Sequence, residues 1–290
     1  MDDLLITPTE LAAERAGASG ITPVLLDVRW TLAGADHAAH LAGHIPGALF
    51  VDLDTELAGP PGNGGRHPLP AAPDLQRLWR DLGLDDDDHV VVYDAKDSSV
   101  AARAWWLLRW SGFGSGAGSV RVLDGGFAGW VDAGRPTETG PVGRPGGGTA
   151  HARPGGLPTV DIDAAAAAAD ASDRVLLDAR AAARYRGEVE PVDPVAGHIP
   201  GAVNLPLTDL VDDAGRFRPP SALLERFAAA GVTPAGVAAV ASCGSGVTAC
   251  HLVLAGALVD IELALFPASY SGWCAAGRPI ATGPKVGTGR

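Results

Sequence analysis

The chain is poor in cysteine, in aromatic residues and in positive charge. Three cysteines (Cys243, Cys250 and Cys274) are too few and too scattered for a disulfide framework or a zinc site. Lysine and arginine number 22 against 34 acidic residues, so the formal net charge is −12. This balance excludes the basic surface that a nucleic-acid partner requires. We therefore expect neither a structural metal nor a nucleic-acid partner.

Long apolar runs are also missing. The stretch "HLVLAGALV" is too short to cross a bilayer, and the acidic N-terminus "MDDLLITPTE" lacks the basic-then-apolar layout of a secretory signal. The acidic run Asp85–Asp88 is interpreted as a solvated turn between a helix and a strand, because its acids are consecutive rather than alternating as in a metal site. These features predict a cytoplasmic protein without membrane contact.

What the chain does contain is one pattern written twice. An apolar run that ends in acid-x-Arg precedes the string "GHIPGA", and a Trp-containing turn ending in "AGRP" closes each half. Between the halves lies a Gly- and Pro-rich stretch without apolar periodicity. We predict an N-terminal domain at 1–135, a linker at 136–158 and a C-terminal domain at 159–290. The copies of "GHIPGA" are residues 43–48 and 197–202.

Each half predicts an α/β domain. Short apolar runs such as "HVVVYD" (89–94) and "VAAVAS" (237–242) suit strands that are buried on both faces. They alternate with helical patterns such as "AARAWWLLRW" (101–110), which predicts a mainly parallel sheet flanked by helices on both faces. Ligands of such sheets bind at the carboxyl ends of strands, which is where Cys243 lies.

The loop "CGSGVT" after the second of these runs carries the chemistry. Gly244 and Gly246 permit backbone angles that aim successive amides inward, and the following helix contributes its N-terminus. Such a nest favours the thiolate of Cys243, a nucleophile. The alternative is a buried cysteine that serves as a small apolar residue. Cysteine phosphatases carry an arginine where this loop has Ala249, which disfavours phosphoester hydrolysis.

The repeated "GHIPGA", the stretch "RYRGEVEPVDPVAGHIPGAVNLP" and "CGSGVTAC" together resemble the two-domain rhodanese family of sulfurtransferases, and most closely its 3-mercaptopyruvate branch. The resemblance implies two tandem rhodanese-like domains, of which only the C-terminal one keeps its cysteine. It also implies a persulfide on Cys243, a small-molecule sulfur donor, a thiol acceptor such as thioredoxin or glutathione, or cyanide, and no cofactor. The corresponding N-terminal stretch, "YDAKDSSVAA" (93–102), has no cysteine.

The neutral loop favours a donor whose charge is held elsewhere. Thiosulfate-specific relatives typically carry basic residues just after the cysteine, whereas Gly244, Ser245 and Gly246 are small and uncharged. Arg184 matches the carboxylate-binding arginine of the family, and a planar guanidinium suits that task; its alternative is a surface ion pair. Relatives often have a second arginine where this chain has Val192. The predicted donor-binding residues are Arg184, Gly244, Gly246, Val247 and Thr248.

Breaking the C–S bond of mercaptopyruvate requires proton transfer. The resemblance assigns that task to a relay of Ser245 with a histidine and an aspartate from the N-terminal half. The matching residues are His67 in "GGRHPLP" and Asp54 in "FVDLD", with an exposed loop histidine as the alternative for His67. Cys243, Ser245, His67 and Asp54 are thus the predicted catalytic residues.

The prediction is a 3-mercaptopyruvate sulfurtransferase. Two alternatives stay open: a thiosulfate:cyanide sulfurtransferase, supported by the missing second arginine, and a persulfide carrier or sensor that turns over little. His44 and His198 of the two "GHIPGA" copies are expected to hold turns, because one of them belongs to a half without a nucleophile.

Overall fold

The computed structural model describes residues 4–17, 20 and 22–284. The chain forms two compact units, each assembled from separate segments. Unit 1 contains Met1–Gly59, Leu69–Leu157 and Val211–Phe217, and unit 2 contains Pro60–Pro68, Pro158–Leu210 and Arg218–Arg290. The segment that carries His67 therefore belongs to the unit that carries Cys243.

Unit 1 is built on a parallel sheet with strand order β1-β7-β6-β2-β5. Its central strands are almost continuously apolar because helices cover both faces, and Val90, Val91 and Val92 are fully buried. Two further short strands form a separate antiparallel ribbon. The strands are β1 (Leu5–Ile6), β2 (Val24–Asp27), β3 (Trp30–Thr31), β4 (Gly34–Ala35), β5 (Leu49–Phe50), β6 (His89–Tyr93) and β7 (Ser119–Leu123).

The helices of unit 1 flank its sheet, and the first of them has a clear start signal. The first begins at Pro8 because Thr7 and Glu10 form a capping box and the proline suits the first helical turn. Trp105 and Trp106 are buried core residues. The helices are α1 (Pro8–Arg15), α2 (His37–Ala42), α3 (Ala72–Asp81), α4 (Ala101–Trp110) and α5 (Gly126–Asp132).

Unit 2 repeats this plan with a parallel sheet in the order β11-β10-β8-β9. The predicted α/β class, with mainly parallel sheets flanked by helices, is confirmed. The elements of unit 2 are α6 (Ile162–Asp170), β8 (Arg174–Asp178), α7 (Ala182–Tyr185), β9 (Val203–Asn204), a 3₁₀ turn (Leu207–Asp209), α8 (Pro220–Ala229), β10 (Ala238–Ser242), α9 (Ala249–Ala257), β11 (Leu263–Leu265) and α10 (Ser269–Ala275).

The segment Pro60–Pro68 packs tightly against α10. The amide of Arg66 donates to Oγ of Ser271 at 3.1 Å, and a methyl group on Gly65 would lie 2.7 Å from the carbonyl oxygen of Ala268. Gly65 has φ of +95°, which glycine adopts readily. This contact sets the position of Arg66 and His67.

The stretch that the sequence suggests is a linker lies along unit 1. The amides of Gly146, Ala150 and Gly156 donate to carbonyl groups of Asp81, Leu84 and Trp110, and Ala150 is fully buried. Residues up to Leu157 thus belong to unit 1. The domain boundaries themselves stay a prediction.

Both histidines of the repeated string hold turns, as expected. Nδ1 of His44 donates to the carbonyl of His40 at 2.8 Å, and Nδ1 of His198 donates to that of Tyr185 at 2.7 Å. Among the described residues, no helix combines the length and the apolar content needed to cross a membrane.

Candidate active site

The loop from Cys243 to Thr248 joins β10 to α9 at the carboxyl end of β10. It is tied to α10 by backbone hydrogen bonds: the amide of Tyr270 donates to the carbonyl of Cys243 at 3.1 Å, and that of Ser271 to Gly244 at 2.8 Å. The hydroxyl of Ser269 accepts a bond from the Cys243 amide at 3.1 Å. All three bonds come from residues of α10, which thus holds the start of the loop.

Cys243 is more deeply buried than a thiol at an open turn would be, with 3% of its surface exposed. Its sulfur nevertheless accepts a hydrogen bond from the Gly246 amide at 3.1 Å. Gly246 has φ of +80°, and a methyl group there would lie 2.2 Å from the carbonyl oxygen of Pro267. The glycine is thus required by both the backbone angle and the space, and it aims its amide at the sulfur.

Two guanidinium groups lie beside the loop. A methyl group on Gly244 would lie 3.0 Å from Nη2 of Arg66 and 3.7 Å from Nη1 and Nη2 of Arg184. We call these two side chains the arginine fork. Its presence means that the loop, although uncharged itself, faces the N–H donors of two guanidinium groups. The surroundings of Cys243 are therefore polar on this side.

Arg184 is held by buried acids rather than by a surface ion pair. Its Nη2 donates to Oε1 of Glu190 at 2.6 Å and to Oδ2 of Asp193 at 3.3 Å, and the two carboxylates are 3% and 1% exposed. Burial alone would raise the pKa of Glu190, but hydrogen bonds from Arg184 and from the amides of Asp193 and Val192 lower it. Glu190 is thus ionised and orients Arg184.

Arg66 is the residue that the sequence interpretation missed. Relatives often carry a second arginine at the position of Val192, which here is an exposed valine, 39% accessible. Instead, Arg66 reaches the loop from the Pro60–Pro68 segment, where its Nη1 pairs with Oδ1 of Asp193. The string "GGRHPLP" contains this arginine next to His67, but nothing local indicates which way it faces.

The structure brings two of the predicted catalytic residues together. Nδ1 of His67 lies 2.8 Å from Oγ of Ser245, and both residues are buried. His67 is thus not an exposed loop histidine. Asp54 belongs to unit 1, where its oxygens accept hydrogen bonds from Nε1 of Trp30 at 2.9 Å. The part of Asp54 in a relay stays a prediction.

The remaining loop residues lie at the start of α9. Val247 is buried, and Thr248 immediately precedes the helix, which begins at Ala249. Cys250 is fully buried and donates to the carbonyl of Gly246 at 3.3 Å, which ties the loop to the first turn of α9.

Cys274 lies in α10, and burial raises the pKa of its thiol. All three cysteines are free thiols.

The loop of unit 1 that corresponds to the cysteine loop shows what such a nest binds. Asp94 follows β6 as Cys243 follows β10, and its carboxylate accepts hydrogen bonds from four amides at 3.0–3.1 Å. One donor, Ser98, has φ of +61° and takes the place of Gly246 in a loop that is one residue longer. The donors are Lys96, Ser98, Val100 and Ala101.

Two acids of the run Asp85–Asp88 accept hydrogen bonds from residues of the Gly- and Pro-rich stretch. Asp85 accepts hydrogen bonds from the amide and hydroxyl of Thr149, and Asp86 accepts one from the amide of His151. Among the described residues, no group of His, Cys, Asp or Glu has an arrangement that could hold a metal ion.

Comparisons with known proteins agree on the type of domain. A family model described as a rhodanese-like domain matches residues 7–133 and 161–276. A Mycobacterium tuberculosis protein named as a thiosulfate sulfurtransferase, SseB, is 41% identical over 97% of both chains. A Pseudomonas aeruginosa protein named as a 3-mercaptopyruvate sulfurtransferase is 42% identical over 96% of this chain and 98% of its own.

The solved structures show the same likeness. The crystal structure of SseA from Escherichia coli, described as a 3-mercaptopyruvate sulfurtransferase with the rhodanese fold, superposes with a TM-score of 0.78 at 32% identity. The superposition covers 93% of this chain and 99% of that chain.

Proposed function

The chain belongs to the rhodanese family of sulfurtransferases, and we propose that it takes sulfur from 3-mercaptopyruvate through a persulfide on Cys243. The arginine fork beside Gly244 is the observation that carries this proposal. A donor with a carboxylate can place that group on the fork while its thiol sulfur faces Cys243, because bidentate guanidinium–carboxylate pairs fix both distance and orientation.

The proposed reaction transfers one sulfur atom and one proton. The Cys243 thiolate attacks the sulfur of mercaptopyruvate, an S–S bond forms, and the C–S bond breaks with its electron pair passing to the methylene carbon. The thiol proton of the donor ends on that carbon, so the products are pyruvate and a persulfide anion. We assign the proton transfer to Ser245 and His67, whose 2.8 Å contact suits a relay, with Asp54 as the orienting acid.

The loop amides are proposed to stabilise the persulfide. In unit 1 the carboxylate oxygens of Asp94 lie two bonds beyond Cβ, the same reach as the outer sulfur of a cysteine persulfide, and four amides bind them. In unit 2 the Gly246 amide already donates to Sγ, and Gly244, Val247 and Thr248 complete the loop. An anion at this place therefore gains charge-assisted hydrogen bonds.

The acceptor is proposed to be a thiol, such as glutathione or thioredoxin, or cyanide, each of which attacks the outer sulfur and restores the Cys243 thiolate. This chemistry requires a reduced thiol, so we propose a reducing compartment such as the cytoplasm.

A thiosulfate sulfurtransferase is the second candidate. The observation in its favour is Arg66, because the N–H groups of two guanidinium side chains can also bind the oxygens of a dianion. In that reaction the Cys243 thiolate takes the outer sulfur of thiosulfate and sulfite leaves, without the need for a proton.

A donor comparison tests the proposal. We expect kcat/KM for mercaptopyruvate to exceed that for thiosulfate, intact mass spectrometry to show one added sulfur atom on Cys243, and Cys243→Ser to lose both signals. A clear preference for thiosulfate would contradict the donor, and turnover by the serine variant would contradict the mechanism. An added sulfur that no small thiol removes would identify a carrier instead.

A further inference from the structure

Asp193 is a buried carboxylate that connects the two guanidinium groups of the arginine fork. One of its oxygens accepts from Arg66 and the other from Arg184, at 3.3 Å in the second case. The Asp193 side chain is 1% exposed, whereas those of Arg66 and Arg184 are 30% and 18% exposed. The acid thus lies on the protein side of the fork, and the guanidinium groups keep their more accessible surface for a ligand.

The contacts that hold Asp193 and Arg66 are fixed by the backbone. The amide of Asp193 donates to Oε1 of Glu190 at 3.0 Å, and the amide of Arg66 donates to Ser271 at 3.1 Å. These bonds fix the backbone of both residues, and the ion pairs of Asp193 with Arg66 and Arg184 hold the side chains. The fork is therefore preorganised before a donor arrives.

The formal charges of this cluster cancel. Because each guanidinium already has a carboxylate partner, the fork presents the directional N–H groups of two cations without a large positive potential. A donor with one negative charge adds little repulsion, whereas thiosulfate adds two charges next to a thiolate. The pairs are Arg180 with Asp178, Arg184 with Glu190, and Arg66 with Asp193.

We propose that Asp193 is a specificity-determining residue that favours a monoanionic sulfur donor over a dianionic one, by neutralising one positive charge of the fork while holding both arginines in place. The inference rests on the proposed function in one respect, namely that both donors react at Cys243. It assigns the preference between donors to the buried Asp193 carboxylate as well as to the uncharged cysteine loop.

The test is the ratio of kcat/KM for thiosulfate to kcat/KM for mercaptopyruvate, measured in one preparation of each variant. The ratio is unaffected by a smaller fraction of folded protein. It is also unaffected by any displacement of the arginines that slows both donors equally. Asp193→Asn leaves the shape and removes the charge, so we expect the ratio to rise about five- to tenfold. Asp193→Glu keeps the charge, and its ratio should stay within about twofold of the wild type.

A matched control comes from the same loop. Glu188 pairs with the exposed Arg186 at 2.6 Å and is not a partner of the fork, so Glu188→Gln makes the same change of net charge at a neighbouring place. Its ratio should stay within about twofold of the wild type. An equal rise in this control would assign the effect to net charge and overturn the inference.

Arg66→Gln provides a second measurement with the opposite sign. It removes a positive charge from the fork, so the ratio should fall. An unchanged ratio in folded Asp193→Asn overturns the inference, and if that variant does not fold, an unchanged or raised ratio in Arg66→Gln does so. A wild-type preference for thiosulfate would overturn the proposed donor alone, because the Asp193 inference is judged by the change between variant and wild type.

Discussion

Gly246 is the residue of the reactive loop at which a side chain is least tolerated. Its amide donates to the sulfur of Cys243, and its φ of +80° is combined with a close approach to the carbonyl oxygen of Pro267. Among the described glycines with a positive φ, Gly246 has the shortest distance from an added methyl group to a backbone atom. The loop therefore depends on this glycine for shape as well as for its hydrogen bond.

We predict that Gly246→Ala lowers the free energy of unfolding by about 3 kcal/mol or more, since a contact of 2.2 Å to the backbone adds to the cost of the left-handed conformation. Urea denaturation measures the loss, and kcat/KM should fall with it. Gly277→Ala is the control, because Gly277 has φ of +63° with open space around it. That variant should lose only about 1–2 kcal/mol; equal losses in the two variants would contradict the steric argument.

At the scale of elements, the clearest case is the loop between β6 and α4. Asp94 is fully enclosed, and its burial together with the nearby Asp97 carboxylate raises the pKa of Asp94 against the effect of the amide bonds. The carboxylate satisfies amides at the start of α4 that would otherwise be buried without an acceptor. In the loop that lacks a cysteine, the Asp94 carboxylate thus serves as the hydrogen-bond acceptor for the loop amides.

Removal of this acceptor should be costly. Asp94→Ala leaves four amides without the carboxylate, so we expect a loss of about 3 kcal/mol or more in the free energy of unfolding, measured by urea denaturation. Asp97→Ala provides the comparison, because the Asp97 side chain accepts a hydrogen bond from the Ser99 amide at 3.2 Å and is only partly buried. A loss in Asp94→Ala no larger than in Asp97→Ala would refute the role of the nest.

At the scale of the whole molecule, chain order and spatial order differ. Pro60–Pro68 belongs to unit 2 although it lies within the N-terminal half, and Val211–Phe217 belongs to unit 1. The Gly- and Pro-rich stretch before Pro158 is anchored to unit 1 by Arg144, which donates to Glu56 at 2.6 Å, to Asp81 at 2.8 Å and to the carbonyl of Phe50 at 2.9 Å. The bond to Glu56 is the largest factor that raises the pKa of Arg144.

We therefore predict that residues 136–157 resist limited proteolysis in the folded protein. Arg144→Gln should speed cleavage in this stretch several-fold, because the loss of a charged anchor of about 1–2 kcal/mol raises the population of the open form. Arg77→Gln is the control, since Arg77 makes an exposed pair with Asp74 on the surface of α3. Rapid cleavage of the wild type between 136 and 157 would show a flexible linker instead.

The sequence by itself determined several elements, among them β6, α4 and β10, and it located the glycine-rich loop after Cys243. Apolar runs such as residues 89–94 specify buried strands because a parallel sheet covered on both faces demands them, and the glycines after Cys243 specify the turn by their backbone freedom. These are local effects. The rhodanese-like family model matches residues 7–133 and 161–276, so the domain type is known for both halves of the chain.

Only the tertiary structure decided which distant residues meet at the loop. His67 and Ser245 are 178 positions apart, and Arg66 and Asp193 are 127 positions apart. Their encounter depends on packing of the Pro60–Pro68 segment against α10, for which no local pattern exists. The sequence shows Val192 where relatives often carry an arginine, but it does not show that Arg66 lies beside the loop, because the direction of a long side chain is set by the surfaces that surround it.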